Sequence, residues 1–233
     1  MIINQAVILA AGKGTRMGFD SPKVMIHISG KPLLEHAIEK LVHIGITEIV
    51  LIVGYKKQEI INYFSDYKKV RLYFVEQKQL NGTAIAVKLA EQHINNDFLV
   101  INGDVLFEEK AIRNLIDEHN FGEITIMSQE VEDARPYGVL MLKNNKIIDL
   151  IEKPKNPPSN LINAGFYVFP KKIFSAINNI KISARGEYEI TDAIKFLIKQ
   201  GIIARPINYF GTRVELTQPS DIKIAEDWLK QTL

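Results

Sequence analysis

Short runs of aliphatic and β-branched residues alternate with longer amphipathic stretches through the first half of the chain. Each run has the length of a buried strand, and each following stretch repeats apolar residues at the three- and four-residue spacing of a helix. This alternation predicts a mainly parallel sheet with helices on both faces. The predicted strands cover residues 7–9, 49–53, 70–75 and 98–101, and the predicted helices cover 32–44, 58–64, 83–93 and 108–119.

The pattern changes after about residue 120, where strand candidates follow one another without an intervening helix. The pair Asn144-Asn145 predicts a hairpin turn between two of them. We therefore expect one domain, residues 1–233, of three-layer α/β/α architecture, with a parallel half (about 1–120) and a half carrying an antiparallel insertion (about 121–233). The later strand candidates are 123–131, 138–142, 147–151 and 162–168, and helical spacing returns at 188–199 and 221–230.

The composition excludes several classes of protein. Lysine and arginine number 29 against 27 aspartate and glutamate, so the concentrated basic excess of a nucleic-acid-coating or membrane-surface protein is missing. The chain contains no cysteine, which excludes disulfides and cysteine-ligated zinc. The first apolar stretch is short and lacks a basic flank, and no run approaches 18 apolar residues. We therefore expect a cytoplasmic protein without nucleic-acid or membrane partners.

The loop after the first predicted strand reads L-A-A-G-K-G-T-R-M and is followed by Pro22-Lys23. Small residues at the end of a strand let backbone N–H groups approach a phosphate closely, and Lys13, Arg16 and Lys23 supply positive charge. A plain glycine turn with solvated basic residues is the alternative. A dinucleotide fingerprint does not fit, because it needs glycine where Met17 stands, and no G-K-[ST] closes a P-loop. The segment predicts a phosphate-binding loop.

These motifs resemble those of the sugar nucleotidyltransferases. The loop motif and the stretch of residues 21–36 are similar to the bacterial N-acetylglucosamine-1-phosphate uridylyltransferases, and residues 183–192 are closer to the glucose-1-phosphate thymidylyltransferases. The resemblance implies a Rossmann-like nucleotidyltransferase fold with a nucleotide-binding half and a sugar-binding half. It also implies Mg²⁺-dependent transfer of a nucleotidyl group from UTP or dTTP to a hexose 1-phosphate, with release of pyrophosphate.

The resemblance assigns the nucleotide side of the site to the first half of the chain. Arg16 and Lys23 are the catalytic cations on the triphosphate, Gln77 reads a pyrimidine base through its amide, and Asp104 holds Mg²⁺. The Gln77 amide can flip to suit cytosine, Thr83 is equally explained as a helix N-cap, and Asp104 as a turn residue. The full nucleotide-binding set is Leu9, Ala10, Ala11, Gly12, Gly14, Thr15, Arg16, Lys23, Gln77, Gly82, Thr83 and Asp104.

The resemblance assigns the sugar phosphate to five residues of the second half. Their structural alternatives are a strand glycine, a surface ion pair, a turn asparagine and a helix-start acid that complements the helix dipole. The five residues are Gly138, Glu152, Lys153, Asn163 and Glu189.

The second Mg²⁺ ligand depends on the alignment of the last strand. Many family members carry an aspartate in a W-x-D-x-G-T pattern, and aligning Gly211-Thr212 with it puts Tyr209 in the ligand position, where tyrosine is a poor Mg²⁺ ligand. Aligning the segment V-E-L-T-Q-P-S-D instead makes Glu215 the ligand. We expect Glu215 beside Asp104, with an ordinary exposed strand residue as the alternative.

Two other functions remain open from the sequence. One is a cytidylyltransferase acting on a small alcohol phosphate such as phosphocholine, which would need an aromatic cage that the sequence does not indicate. The other is a nucleotide-sugar sensor without turnover. The expected partners are a nucleoside triphosphate and a sugar 1-phosphate, and self-association into a homo-oligomer stays open. Longer relatives add a β-helix acyltransferase domain, and we expect that second activity to be absent.

Overall fold

The computed structural model describes residues 2–14 and 17–232. Its main sheet has nine strands in the order β10-β9-β11-β6-β1-β4-β5, with β8 between β11 and β12. These strands are β1 Gln5–Ala10, β4 Glu48–Val53, β5 Arg71–Glu76, β6 Phe98–Asn102, β8 Ile124–Glu130, β9 Gly138–Lys143, β10 Lys146–Glu152, β11 Leu161–Phe169 and β12 Ala204–Asn208. Two small ladders join β2 His27–Ile28 to β3 Lys31–Pro32 and β7 Val105–Leu106 to β13 Val214–Glu215.

The sheet is mixed, as the sequence predicts. Strands β5, β4, β1 and β6 run parallel, and β11 continues the sheet antiparallel to β6. Strands β8, β9 and β10 then extend it with antiparallel ladders. Asn144 and Asn145 turn between β9 and β10 with φ of 51° and 56°, the positive pair that a tight hairpin requires.

Helices cover both faces of the sheet, which confirms the three-layer prediction. Along β1, Ala6, Ile8 and Ala10 point to one apolar cluster and Val7 to the other, as the two-residue period of a strand dictates. The first cluster includes residues of α1 Leu33–His43, α2 Lys57–Phe64 and α4 Glu109–Asp117. The second includes residues of α3 Thr83–Lys88, α5 Ile173–Ile177 and α6 Ile190–Lys199.

The last helix, α7 Asp221–Thr232, packs on β2, β7 and β13 in a separate apolar cluster that contains Trp228. The Lys40 ammonium of α1 lies 4.6 Å from the centre of the Trp228 ring and 5.5 Å from that of Phe107, and it donates to the Phe107 carbonyl. Burial lowers the pKa of Lys40 to about 8, against the raising effect of Glu108 and Glu109. No helix in the described ranges has both the length and the apolar character needed to cross a membrane.

The buried Lys40 predicts that the free energy of unfolding depends on pH. Its pKa is about 8 in the folded state and 10.5 in the unfolded chain, so between these values the unfolded state binds more protons. The free energy of unfolding should therefore rise with pH across this window. Urea unfolding at pH 7.5, 9 and 10 should show this rise in the wild type relative to Lys40→Met, and parallel pH profiles would contradict the assignment.

Candidate active site

A cleft of about 450 Å³ opens at the carboxyl ends of the parallel strands, where open α/β sheets bind ligands. Its walls come from the loops after β1, β5 and β6 and from the segment around β13. Eleven of the residues predicted from the sequence line it: Leu9, Ala10, Ala11, Gly12, Gly14, Lys23, Gln77, Gly82, Thr83, Asp104 and Glu215. The predicted residues Thr15 and Arg16 lie outside the described ranges.

Lys23 packs over the loop in the space that the missing side chain of Gly14 leaves. Gly14 has φ of 60°, and a Cβ there would lie 2.6 Å from the Lys23 Cβ, so only glycine leaves room for the lysine stem. The Lys23 ammonium then reaches Asp104, with 2.7 Å between Nζ and Oδ2. Lys13 goes elsewhere, since its ammonium lies 6.0 Å from the centre of the Tyr55 ring. Of the two loop lysines, only Lys23 lines the cleft.

Asp104 and Glu215 meet because β7 and β13 pair. Glu215 is opposite Val105, and the Leu216 N–H donates to the Asp104 carbonyl at 3.2 Å. Burial raises the pKa of Glu215, and the neighbouring Asp104 charge raises it further, against the lowering effect of Arg213 and Lys23. The two carboxylates therefore line one cleft, and the Lys23 charge acts on both of them.

Tyr209 does not take part in this pair. Its hydroxyl donates to the Thr212 carbonyl at 2.9 Å, and burial raises its pKa well above the usual tyrosine value. It lines a smaller cavity of about 230 Å³ next to β8. The structure thus brings Glu215, and not Tyr209, to the cleft with Asp104.

The predicted base reader, Gln77, lines the same cleft as Lys23. Gln77 follows β5, is 6% exposed, and donates from its amide to the Gly82 carbonyl at 3.3 Å. Thr83 is the first residue of α3 and Gly82 occupies the N-cap position, so the interpretation of Thr83 as the N-cap is wrong. Its hydroxyl instead accepts the Ile190 N–H of α6 at 3.1 Å. This hydrogen bond connects the start of α3, which follows the loop that carries Gln77, to the second half of the chain.

The predicted sugar-side residues form a second group beside the cleft lining. A Cβ on Gly138 would lie 3.1 Å from Glu152 Oε2, 3.3 Å from Thr191 Cγ2 and 3.6 Å from Asn163 Nδ2. The space in front of Gly138 is therefore bounded by three side chains from β10, α6 and β11. Burial raises the pKa of Glu152, and the nearby Glu189 charge raises it further.

The other predicted sugar-side residues are held by local contacts. Glu189 is buried and accepts from Arg185 Nε at 3.1 Å and the Ser183 hydroxyl at 3.2 Å, rather than capping α6. Asn163 donates to the Tyr167 hydroxyl at 2.6 Å and accepts the Gly165 N–H at 3.0 Å. Lys153 has φ of 43° and contributes a nearby charge to both Glu152 and Glu215.

Several residues at the site escaped the sequence analysis. Asn102 and Thr217 line the cleft next to motifs that were recognised, so adjacency alone could have found them. Glu187 also lines the cleft, two residues before Glu189. Arg213, which contacts Glu215, carries no sequence signal, because its partners are distant along the chain.

The structure thus has a cleft at the ends of the parallel strands, with a lysine and two carboxylates in its lining, which is the place where open α/β sheets bind ligands. The sequence profile of the Nucleotidyl transferase family matches residues 5–207. The chain belongs to this family, and the resemblance given by its loop motifs is confirmed.

Two proteins of known name and one crystal structure illustrate what this chain is similar to. The bifunctional protein GlmU of Methanocaldococcus jannaschii is 44% identical over 228 residues, which are 96% of this chain and 54% of that protein. The chain thus spans about half the length of the GlmU relatives it matches. The UTP–glucose-1-phosphate uridylyltransferase AglF of Haloferax volcanii is 37% identical over 97% of both chains. A crystal structure of UDP-glucose pyrophosphorylase complexed with UDP-glucose superposes with a TM-score of 0.84 at 27% identity over the whole of both chains.

Gly82, in the first half of the chain, packs closely against the backbone of Tyr188 in the second half. Its φ is 120°, and a Cβ there would lie 2.3 Å from the Tyr188 carbonyl oxygen. Gly82→Ala should therefore lower the free energy of unfolding by at least about 1 kcal/mol more than Gly201→Ala, because it adds overpacking to backbone strain.

Gly201 is a matched control, since it has φ of 86° and open space around it. Chemical denaturation of both variants measures the difference. Equal losses would show that the contact with Tyr188 is unimportant.

Proposed function

We propose that this chain transfers a uridylyl group from UTP to a hexose 1-phosphate and releases pyrophosphate, with Mg²⁺ bound at Asp104 and Glu215. The observation that carries the proposal is that Lys23, Asp104, Glu215 and Gln77 line one cleft, with the Lys23 ammonium 2.7 Å from the Asp104 carboxylate. The relatives named for UTP, glucose 1-phosphate and UDP-glucose support this choice of substrates.

The donor set fits a magnesium site completed by substrate. Within residues 2–14 and 17–232, no cluster of three or more His, Asp and Glu side chains suited to a metal ion occurs. Asp104 and Glu215 supply two carboxylates, and Mg²⁺ ordinarily takes one or two from a protein and the rest from phosphates and water. When bound, the ion would neutralise triphosphate charge and orient the α-phosphate.

The chain's own residues position the two substrates. The small residues of the β1 loop leave backbone N–H groups open to the triphosphate, and Gln77 offers an amide edge to the uracil. A triphosphate would compete with Asp104 for the Lys23 ammonium, which stabilises the charge that develops at the α-phosphate. The sugar phosphate attacks directly, so positioning and electrostatics supply the catalysis without a protein nucleophile.

The sugar-side geometry does not favour a choline-type acceptor. A quaternary ammonium group needs an open aromatic face. The Arg213 guanidinium carbon lies 5.3 Å from the centre of the Tyr137 ring and covers it. The Tyr167 ring stacks on Phe169 with 4.8 Å between centroids. Both tyrosines near Gly138 are therefore occupied by the protein itself.

Lys23→Ala should reduce turnover by at least about 100-fold while leaving the unfolding temperature near the wild-type value, because a preorganised cation is lost at the reacting phosphate. Lys13→Ala is the matched control from the same loop, and its turnover should stay within a few-fold of wild type. Steady-state pyrophosphate release measures both. A Lys23→Ala enzyme as active as Lys13→Ala would remove Lys23 from the mechanism.

The substrates are tested by pyrophosphate release over a grid of UTP, dTTP, CTP, ATP and GTP against several sugar 1-phosphates and phosphocholine. We expect the highest kcat/KM with UTP and a hexose 1-phosphate, and none without a divalent cation. Binding of nucleotide sugars without turnover on any pair would instead identify a sensor.

The same grid tests base reading. Gln77→Ala should narrow the preference for UTP over CTP more than it lowers kcat, because the base is remote from the α-phosphate. Gln79→Ala, at an exposed position of the same loop, is the control and should keep the wild-type profile. An unchanged profile in Gln77→Ala would place base reading elsewhere.

A further inference from the structure

Arg213 is an almost completely buried arginine between the cleft and the sugar-side residues. Its side chain is 8% exposed, and it precedes β13 by one residue. Removing a guanidinium from water is costly unless its surroundings compensate the charge and the N–H donors. Neither the sequence motifs nor the proposed chemistry accounts for this residue.

Three contacts hold Arg213, and each belongs to a different part of the site. Nη1 lies 3.4 Å from Glu215 Oε2 and donates to the Ala164 carbonyl at 3.2 Å. The guanidinium also covers the Tyr137 ring at 5.3 Å. Ala164 follows Asn163 on β11, and Tyr137 precedes Gly138 at the start of β9. The planar guanidinium therefore connects Glu215, a candidate metal ligand, to the two chain segments beside the acceptor space, through the Ala164 carbonyl of one and the Tyr137 ring of the other.

Arg213 differs in this respect from the other cation of the carboxylate pair. Within residues 2–14 and 17–232, Lys23 has one ionic contact, with Asp104, and its flexible side chain is 14% exposed. Arg213 is fixed on three sides and would lose the Ala164 carbonyl and the Tyr137 ring if it followed a phosphate. A rigid planar fork suits the holding of several groups at set angles, whereas an ammonium acts as a point charge.

We propose that Arg213 is a positioning residue that fixes Glu215 relative to the acceptor side of the cleft, so that cation binding and sugar phosphate binding depend on one guanidinium. This inference rests on the proposed function. It implies that changes at Arg213 weaken both binding events, and partners that orient a metal ligand typically contribute about 10- to 100-fold in metal affinity.

The test uses Arg213→Lys, which keeps the charge, and Arg213→Met, which keeps most of the bulk. Mn²⁺ serves as the probe, and its dissociation constant is measured by electron paramagnetic resonance on the whole protein, with and without UTP. The KM for glucose 1-phosphate is measured separately. We expect both variants to raise the Mn²⁺ dissociation constant about tenfold. Both should also raise KM several-fold, with a smaller change in kcat.

The two variants separate positioning from simple charge. If Arg213 were only a counterion, Arg213→Lys would match the wild type and Arg213→Met would bind Mn²⁺ more tightly, because a repelling cation is gone. That result would overturn the proposal. Thermal unfolding shows whether Arg213→Met is folded, and the charge-conserving Arg213→Lys carries the test if it is not. Wild-type constants in folded Arg213→Lys would also overturn it.

A double-mutant cycle with Glu215→Gln tests the route of the effect. Once Glu215 no longer ligates, Arg213→Lys should cause no further loss of Mn²⁺ affinity, and independent, additive losses would overturn the proposal. Arg205→Lys is the matched control, because Arg205 also pairs with a glutamate, Glu123 at 2.6 Å, but makes no contact with the site residues. In Arg205→Lys, the Mn²⁺ dissociation constant and the KM for glucose 1-phosphate should both stay at their wild-type values.

The readouts keep the inference apart from the proposed function. A wild-type protein that releases no pyrophosphate from any UTP and sugar 1-phosphate pair would overturn the proposed function. Mn²⁺ binding without nucleotide needs no turnover, so an unchanged Mn²⁺ dissociation constant in Arg213→Lys would overturn the role of Arg213 while leaving the enzymatic activity standing.

Discussion

The architecture depends on how closely the chain packs around the end of β1. This strand lies between β4 and β6 with both faces buried. The glycines that follow β4 and β6 leave room for the backbone at the end of β1. A Cβ on Gly54 would lie 2.7 Å from the Ala11 carbonyl oxygen, and one on Gly103 would lie 3.0 Å from that of Leu9. The Gly103 N–H uses this closeness to donate to the Leu9 carbonyl at 3.0 Å. The backbone that leads into the predicted phosphate-binding loop and the backbone next to Asp104 are therefore held against each other at the end of β1.

The second half of the chain is brought to that point by pairing with the first. Strand β11 runs antiparallel to β6, and a Cβ on Gly165 would lie 2.5 Å from the Asn102 amide, so the two strands meet tightly at the cleft. The short ladder between β7 and β13 then delivers Glu215 to Asp104. On the other wall, the Tyr188 backbone pairs with Asn81 and Ala84 through hydrogen bonds of 2.9 and 3.0 Å. Both walls of the site are thus built from residues of both halves.

Periodicity predicted the elements that have a regular apolar pattern and little else. The parallel strands β1, β4, β5 and β6 and the four strands from β8 to β11 occur where the sequence pattern indicated them, whereas the two-residue strands β2, β3, β7 and β13 were not predicted. Strand β12 was missed because Pro206 interrupts its pattern; it pairs at the sheet edge, where proline is tolerated. Helix α5 is only five residues long, too short for a helical period to show. The contacts of Arg213 with Ala164 and Tyr137 are set by tertiary packing, which local sequence does not encode.

Asp104 and Glu215 have different cationic partners, and the two partners are held with different firmness. Asp104 is paired with Lys23 through one contact, whereas Glu215 is next to Arg213, which is anchored to two other groups. The Lys23 ammonium is on a flexible side chain, so it can exchange the Asp104 carboxylate for a phosphate and keep its charge compensated. Moving Arg213 would leave a buried guanidinium without partners, which is far more costly. Under the proposed function, Lys23 can therefore change its partner from Asp104 to the triphosphate, while Arg213 keeps Glu215 in position relative to the acceptor side.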